Sequence, residues 1–181
     1  MNVLYSGQYV QRFKKIVSLL GPEISSVCEL CFGDTFVAHW CRSRDIQWTG
    51  IDLNQGLCRR AAKLGFRVIE GDVLSLNLPT ADVFVMAGSL YHFHTNLSPF
   101  MDSILSRTSR LILSEPVKNL SSAPGLIGWW AKRSANPGTG HASFRYNKES
   151  LLAAIAEQQE RKGFHYRVVS SDRDLLLEIQ R

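Results

Sequence analysis

Along most of this chain, short apolar runs rich in β-forming residues take turns with helix-length amphipathic stretches, and that alternation admits few folds. The runs are SSVCEL (25–30), WTGID (48–52), FRVIEGD (66–72), ADVFVMAG (81–88) and RLILSEP (110–116), each bounded by turn residues. Between them lie FVAHWCRSR, NQGLCRRAAKLG and NLSPFMDSILSR, the last with Phe100, Met101, Ile104 and Leu105 on one face. Strand and helix in alternation imply parallel strands joined by helical crossovers, buried on both sides. Ahead of them, Phe13, Ile16, Val17 and Leu20 follow i, i+3, i+4, i+7 spacing, so residues 1–21 read as an amphipathic helix ending at Gly21-Pro22. After them, KESLLAAIAEQQERKG reads as a helix and FHYRVVS and RDLLLEIQR as two strands too close in sequence to pair other than as a hairpin. The expectation is an α/β fold: a doubly wound, mostly parallel seven-stranded sheet with helices on both faces and a C-terminal antiparallel hairpin strand.

The 181 residues suit one domain, 1–181, with a core of full size. Apolar residues make up 45% and charged ones 20%, which excludes a disordered or fibrous chain. No apolar stretch approaches the roughly 18 residues that span a bilayer, and MNVLYSGQYVQRFKK lacks the features of a secretory leader, so a cytoplasmic protein is expected. Residues 117–147, rich in Gly, Pro, Ser and aromatics, exceed an ordinary connection and read as an insertion serving as a lid. Its Trp129 and Trp130, followed by Lys132 and Arg133, offer an apolar patch beside positive charge.

The net charge of +5 raises the question of nucleic acid. The basic residues fall in RFKK near the start, CRSR (41–44), CRRAAK (58–63) and AKR (131–133), mostly where helices show a solvent face, so nucleic acid ranks below a small-molecule partner. Cys28 and Cys31 have C-x-x-C spacing, but Cys28 lies inside an apolar run and Cys41 and Cys58 form no second close pair. Buried reduced thiols are expected, and no metal is assigned, since only Asp82 and Glu115 flank the fourth and fifth strands.

Acids at strand ends carry the functional reading. Glu29 closes the first run, Asp52 the second in GIDLN, and Asp72 follows the third in IEGDV. In an open α/β sheet these ends face the ligand crevice. Three acids on one edge suit hydroxyls, amines and positive charge, and would repel a pyrophosphate. The G-x-G-x-x-G turn is reduced to Gly33 in CFGDTF and no Walker loop is present, so nicotinamide and ATP readings are poor.

With these residues the chain resembles the class I S-adenosylmethionine-dependent methyltransferases: ELCFGDT matches the first motif, GIDLN the second and EGDV the third. The resemblance extends through ADVFVMAGSLYHF and RLILSEP to the closing hairpin. It implies S-adenosylmethionine as cofactor and S-adenosylhomocysteine (SAH) as product. It further implies that Glu29, Cys31 and Gly33 border the methionine part, Asp52 and Leu53 the ribose, and Asp72 and Val73 the adenine. Ala87, Gly88 and Ser89 follow the fourth strand beside the cofactor, and Tyr5 and Tyr9 close the pocket from the N-terminal helix. His92 and Tyr91 stand next to the methyl group as candidate catalytic residues, with His94, His141, Trp129 and Trp130 toward the acceptor. The turn after the fourth strand is AGSLY rather than an Asn-Pro-Pro-Tyr-like sequence, which speaks against methylation of exocyclic amines. A small-molecule acceptor, apolar or anionic, is expected; RNA methylation and a cofactor-binding module without activity are the alternatives. Cys31 and Thr35 stand where the family has glycines, so Cys31 is expected in an ordinary conformation and Thr35 as a helix cap.

Overall fold

The computed structural model describes residues 9–118 and 144–181. In chain order it contains α1 (Tyr9–Val17), β1 (Ser26–Leu30), α2 (Phe36–Arg42), β2 (Gln47–Asp52), α3 (Gln55–Lys63), β3 (Arg67–Glu70) and β4 (Val83–Ala87). A 3₁₀ segment (Leu90–Asn96), α4 (Leu97–Leu105), β5 (Arg110–Pro116), α5 (Lys148–Lys162), β6 (His165–Ser171) and β7 (Asp174–Gln180) follow. Tyr5, Trp129, Trp130, His141 and the body of the 117–147 insertion lie outside the described residues.

The strands form one seven-stranded sheet in the order β3-β2-β1-β4-β5-β7-β6. β1 to β5 are parallel, and β7 runs antiparallel to both β5 and β6. The expected hairpin is there, with its second strand wedged between β5 and the edge strand β6.

Period-two alternation divides the interior into two layers. Cys28, Leu30, Phe84, Met86, Leu111 and Leu113 face one cluster, which α4 joins through Phe100, Met101 and Ile104 and α5 through Leu151 and Ile155. Val27, Val83, Val85 and Ile112 face the other, covered by Phe13 and Ile16 of α1, Val37 and Cys41 of α2 and Ala61 of α3. Helices therefore cover both faces, as hydrophobic strands in a parallel sheet require. Caps fix where helices begin: Asn54 accepts from Gly56 N (2.9 Å) and Leu57 N (3.2 Å), and Asn147 with Ser150 forms a capping box for α5. Gly163, left-handed at φ 68°, ends α5 before β6.

Strand order turns back between β1 and β4, neighbours in the sheet whose crossovers leave to opposite sides. A crevice opens at the carboxyl ends of strands at such a switch point. The turns after β1 and β4 flank it. Among the described residues, no helix is long and apolar enough to cross a membrane.

Candidate active site

The turn after β1 is built against backbone preference. Cys31, expected in ordinary dihedrals, has φ 52°, and its N–H donates to Ile51 O at 2.7 Å. That bond extends the β1–β2 ladder by one residue, so tertiary pairing overrides the local cost of about 1–2 kcal/mol. Gly33 follows at φ 40°, and a Cβ placed there would meet no atom within 4 Å. The backbone at Gly33 thus faces open space. Thr35 occupies the position before α2, but its side chain makes no cap hydrogen bond. Asp34 does that work instead, accepting from Phe36 N at 2.9 Å, while its other oxygen accepts from the Tyr9 hydroxyl. Tyr9 therefore ties α1 over the turn.

Glu29, expected beside the cofactor, is only 1% exposed and accepts from Trp48 Nε1 at 2.9 Å. As a β1 residue one step out of phase with Cys28 and Leu30, it lies on the α1 side of the sheet, with Asp34 and Asp52 near enough to act on it. Burial pushes its carboxyl well above the usual range, against the Trp48 hydrogen bond. Asp52 is half-buried at the end of β2; its Oδ1 accepts from Asn54 N at 2.7 Å. Desolvation raises it, opposed by hydrogen bonds from the Asn54, Gly33 and Leu53 backbones and by His92. Asp72 is exposed and accepts from Leu74 N at 3.0 Å. Val73, expected to pack on a ring, is 2% exposed and belongs to the core cluster, because the chain turns inward there. Leu53 by contrast is 62% exposed.

Cys31 is the point at which these groups meet. Its thiol is pushed up to about 12, first by burial and then by Asp52, Asp72 and Glu115, while a hydrogen bond with Ser89 opposes the rise. The turns after β1 and β4 thus touch, and acids from β2, β3 and β5 surround the contact. A thiol so held stays protonated and is no nucleophile at neutral pH. Gly88 makes the β4 turn at φ 72° and donates to Ser114 O at 2.7 Å; a Cβ there would come within 2.8 Å of Arg12 Nη1. Arg12, read from sequence as part of a solvated basic face, is 5% exposed and forms two bonds to Asp174, at 2.7 and 2.8 Å.

Tyr91, His92 and His94 follow in the 3₁₀ segment, where the chain returns after the insertion. Phe144 stacks on His94 at 4.2 Å between centroids, and the Arg145 guanidinium lies 3.7 Å over the Tyr91 ring. His94 also shares a ring nitrogen with Tyr91 O at 3.0 Å. Partial burial and the Arg145 cation lower the His92 imidazole, with Asp52 pulling the other way. His92 is therefore mostly neutral near pH 7 and able to accept a proton.

Glu115 was absent from the sequence-derived site. It ends β5 fully buried, with Oε2 accepting from Leu90 N at 2.9 Å. The carboxyl is raised to about 7 by burial, against hydrogen bonds from the Leu90 and Tyr91 backbones and the charges of Arg12 and Arg145. Its signal was available: LSEP closes the fifth strand with an acid just as GID closes the second. Arg145 and Tyr146 carried no such signal, since nothing local shows that the end of an insertion folds back on the fourth strand. A cleft of about 460 Å³ lined by Leu20, Trp40 and Arg44 lies at the opposite, amino ends of β1 and β2 and contains none of these groups.

Known structures share this fold. The methyltransferase domain of bacterial CtHen1 matches with a TM-score of 0.71 at 12% identity, over 94% of this chain and 97% of its own. This chain has the class I methyltransferase fold. Magnesium protoporphyrin IX methyltransferase (ChlM) from Synechocystis PCC 6803, with bound SAH, matches that fold over 98% of this chain and 85% of its own (TM-score 0.67, 16% identity). The plantazolicin methyltransferase BpumL, in complex with a triazolic desmethylPZN analog and SAH, covers 94% of this chain and 82% of its own (0.70, 13%). No protein-family model and no curated protein matches the chain. The methyltransferase fold therefore rests on shape, and its site on the residues described above.

Proposed function

We propose that residues 1–181 form one S-adenosylmethionine-dependent methyltransferase domain acting on a small-molecule acceptor. The observation that carries the reading is the convergence of Asp52, Asp72 and the Cys31–Gly33 turn at the switch point of a methyltransferase fold. The residues fit the cofactor: Gly33 leaves open space over its backbone, and the acids offer acceptors for hydroxyl and amino groups. In this reading Cys31 and Gly33 border the methionine part, with Ala87, Gly88 and Ser89 across from them. Asp52 accepts from the ribose hydroxyls and Asp72 from the adenine amino group. When bound, the cofactor supplies a methyl group already activated by its sulfonium, so the protein has to align an acceptor and exclude water.

His92 takes the acceptor's proton as its lone pair forms the new bond, and Tyr91, held under Arg145, orients the acceptor. His94, with Phe144 stacked upon it, lines the approach.

A second reading, RNA methylation, is favoured by the likeness to the small RNA methyltransferase HEN1, with TM-score 0.70 at 14% identity. It ranks below the first because several of the described basic residues are engaged within the fold, Arg12 with Asp174, Arg110 and Arg167 with Glu178, and Lys162 with Asp102. Arg42 and Arg44 lie over Phe66 and Trp40. RNA should bind weakly and lose affinity steeply with salt; a tight, sequence-dependent complex at physiological salt would reverse the ranking. Crystals soaked with SAH test the function itself. Density running from Gly33 past Asp52 to Asp72 is expected, and density elsewhere or none would contradict it.

A further inference from the structure

The Glu115 carboxyl is an unusual group to bury. No part of it reaches solvent, its Oε1 has no hydrogen-bond partner, and only Oε2 is engaged, by the first turn of the 3₁₀ segment. A buried polar atom left unmatched is costly, so a group needed for packing alone would be better served by an apolar side chain.

Its surroundings concern the placement of Tyr91 and His92. From β4 comes the left-handed Gly88 turn, whose close approach to Arg12 leaves no room for a Cβ. From the 3₁₀ segment comes the Leu90 N–H group, bonded to the carboxyl at 2.9 Å, with the Tyr91 N–H next in the chain. Arg12 of α1, itself paired with Asp174 of β7, and Arg145 ahead of α5 supply positive charge. The Cys31 thiol after β1 and the Tyr146 hydroxyl both feel the carboxylate, and each is pushed up to about 12 by burial first and negative charge second. Arg145 also lies over the Tyr91 ring. One carboxyl therefore sits at the root of the turn that carries both candidate catalytic rings, and the cation above that turn acts on the same carboxyl.

We propose that Glu115 is a positioning residue for the acceptor side of the site: by accepting the Leu90 N–H group from beneath, it fixes the turn that aims Tyr91 and His92 across the crevice toward Asp52. The inference rests on the proposed function, since without a methyl acceptor these rings have nothing to aim at. The carboxyl's proton occupancy sets how tightly the turn is held, because a charged acceptor makes roughly twice the hydrogen bond of a neutral one.

Nuclear magnetic resonance on the full chain tests it without any substrate. In the wild type, the Leu90 and Tyr91 amide resonances should shift with pH in step with the Glu115 carboxyl carbon, and amides that ignore that titration would overturn the proposal. In E115A the freed turn should let the His92 ring leave the neighbourhood of Arg145, moving its midpoint up toward the ordinary value of about 6.5. E115Q, which still offers an oxygen to the Leu90 N–H group, should restore the wild-type midpoint. A folded E115A with His92 titrating as in the wild type would overturn the positioning role; should E115A fail to fold, the wild-type amides and E115Q decide. SAH binding separates the two levels of the argument. Wild type that does not bind SAH contradicts the function and this role with it, whereas SAH binding together with unmoved His92 contradicts the positioning role alone.

Discussion

Cys31 shows how one residue can hide its backbone conformation from a reader of the sequence. Its φ of 52° is a conformation in which glycine is at ease and a side chain costs about 1–2 kcal/mol. Replacing it with glycine should relieve that cost while adding about 0.5–1 kcal/mol of chain entropy to the unfolded state, a small net gain. Cys31→Val should instead lose at least about 1–2 kcal/mol, since a β-branched residue resists the left-handed region further. Chemical unfolding of both variants checks this, and a valine variant as stable as wild type would mean that the turn is not left-handed. Glu29, Asp52 and Asp72 were legible as strand-end acids because strand termini follow from hydrophobic runs. That Glu29 is buried against Trp48 and that Val73 turns into the core was not legible. Each depends on which face of the sheet a side chain takes, which is settled only by the register and the layer packed above it.

Among the elements, the seven strands and their alternating helices were readable because buried parallel strands must be continuous apolar runs with period-two faces. Contacts between distant elements were not readable, and they hold the site. Arg12 in RFKK looks like any solvent-facing arginine until β7 brings Asp174 beside it, 162 residues away. The C-terminal hairpin is fastened in the same manner: Glu178, 1% exposed, receives Arg110 from β5 and Arg167 from β6. Burial would raise its carboxyl, but the two guanidinium groups more than offset this and hold it below the ordinary value. Glu178→Ala leaves Arg110 without that carboxylate and should destabilise by about 3 kcal/mol in urea unfolding. A folded carboxyl held low contributes stability above its unfolded pKa and loses it as pH falls through the folded value. The difference between wild type and variant should therefore be full at neutral pH and shrink in acid. A constant difference would place the effect in packing rather than charge.

Over the whole molecule the buried acids act in the opposite sense. Glu115 keeps its proton to about 7, while in the unfolded chain it ionises near 4.5, and Glu29 and Asp52 are also raised, chiefly by burial. Between these values the folded state holds a proton that the unfolded state has released, so stability falls as pH rises. Glu115 alone contributes a decline on the order of 3 kcal/mol between about pH 4.5 and 7. Urea unfolding across that range should show stability decreasing toward neutral pH in the wild type and less steeply in E115Q; identical slopes would remove Glu115 from the balance. The proposed cofactor site at the switch point would account for a fold that accepts this cost at the carboxyl ends of β2 and β5, next to a strained turn. Calorimetric titration of wild type and Asp52→Ala with SAH puts that arrangement to the test. One molecule of SAH should bind per chain, and the variant should bind more weakly by about 1.5–3 kcal/mol through loss of charge-assisted hydrogen bonds. Absence of binding in the wild type, or equal affinity in a folded Asp52→Ala, would contradict the assignment of this edge as the cofactor site.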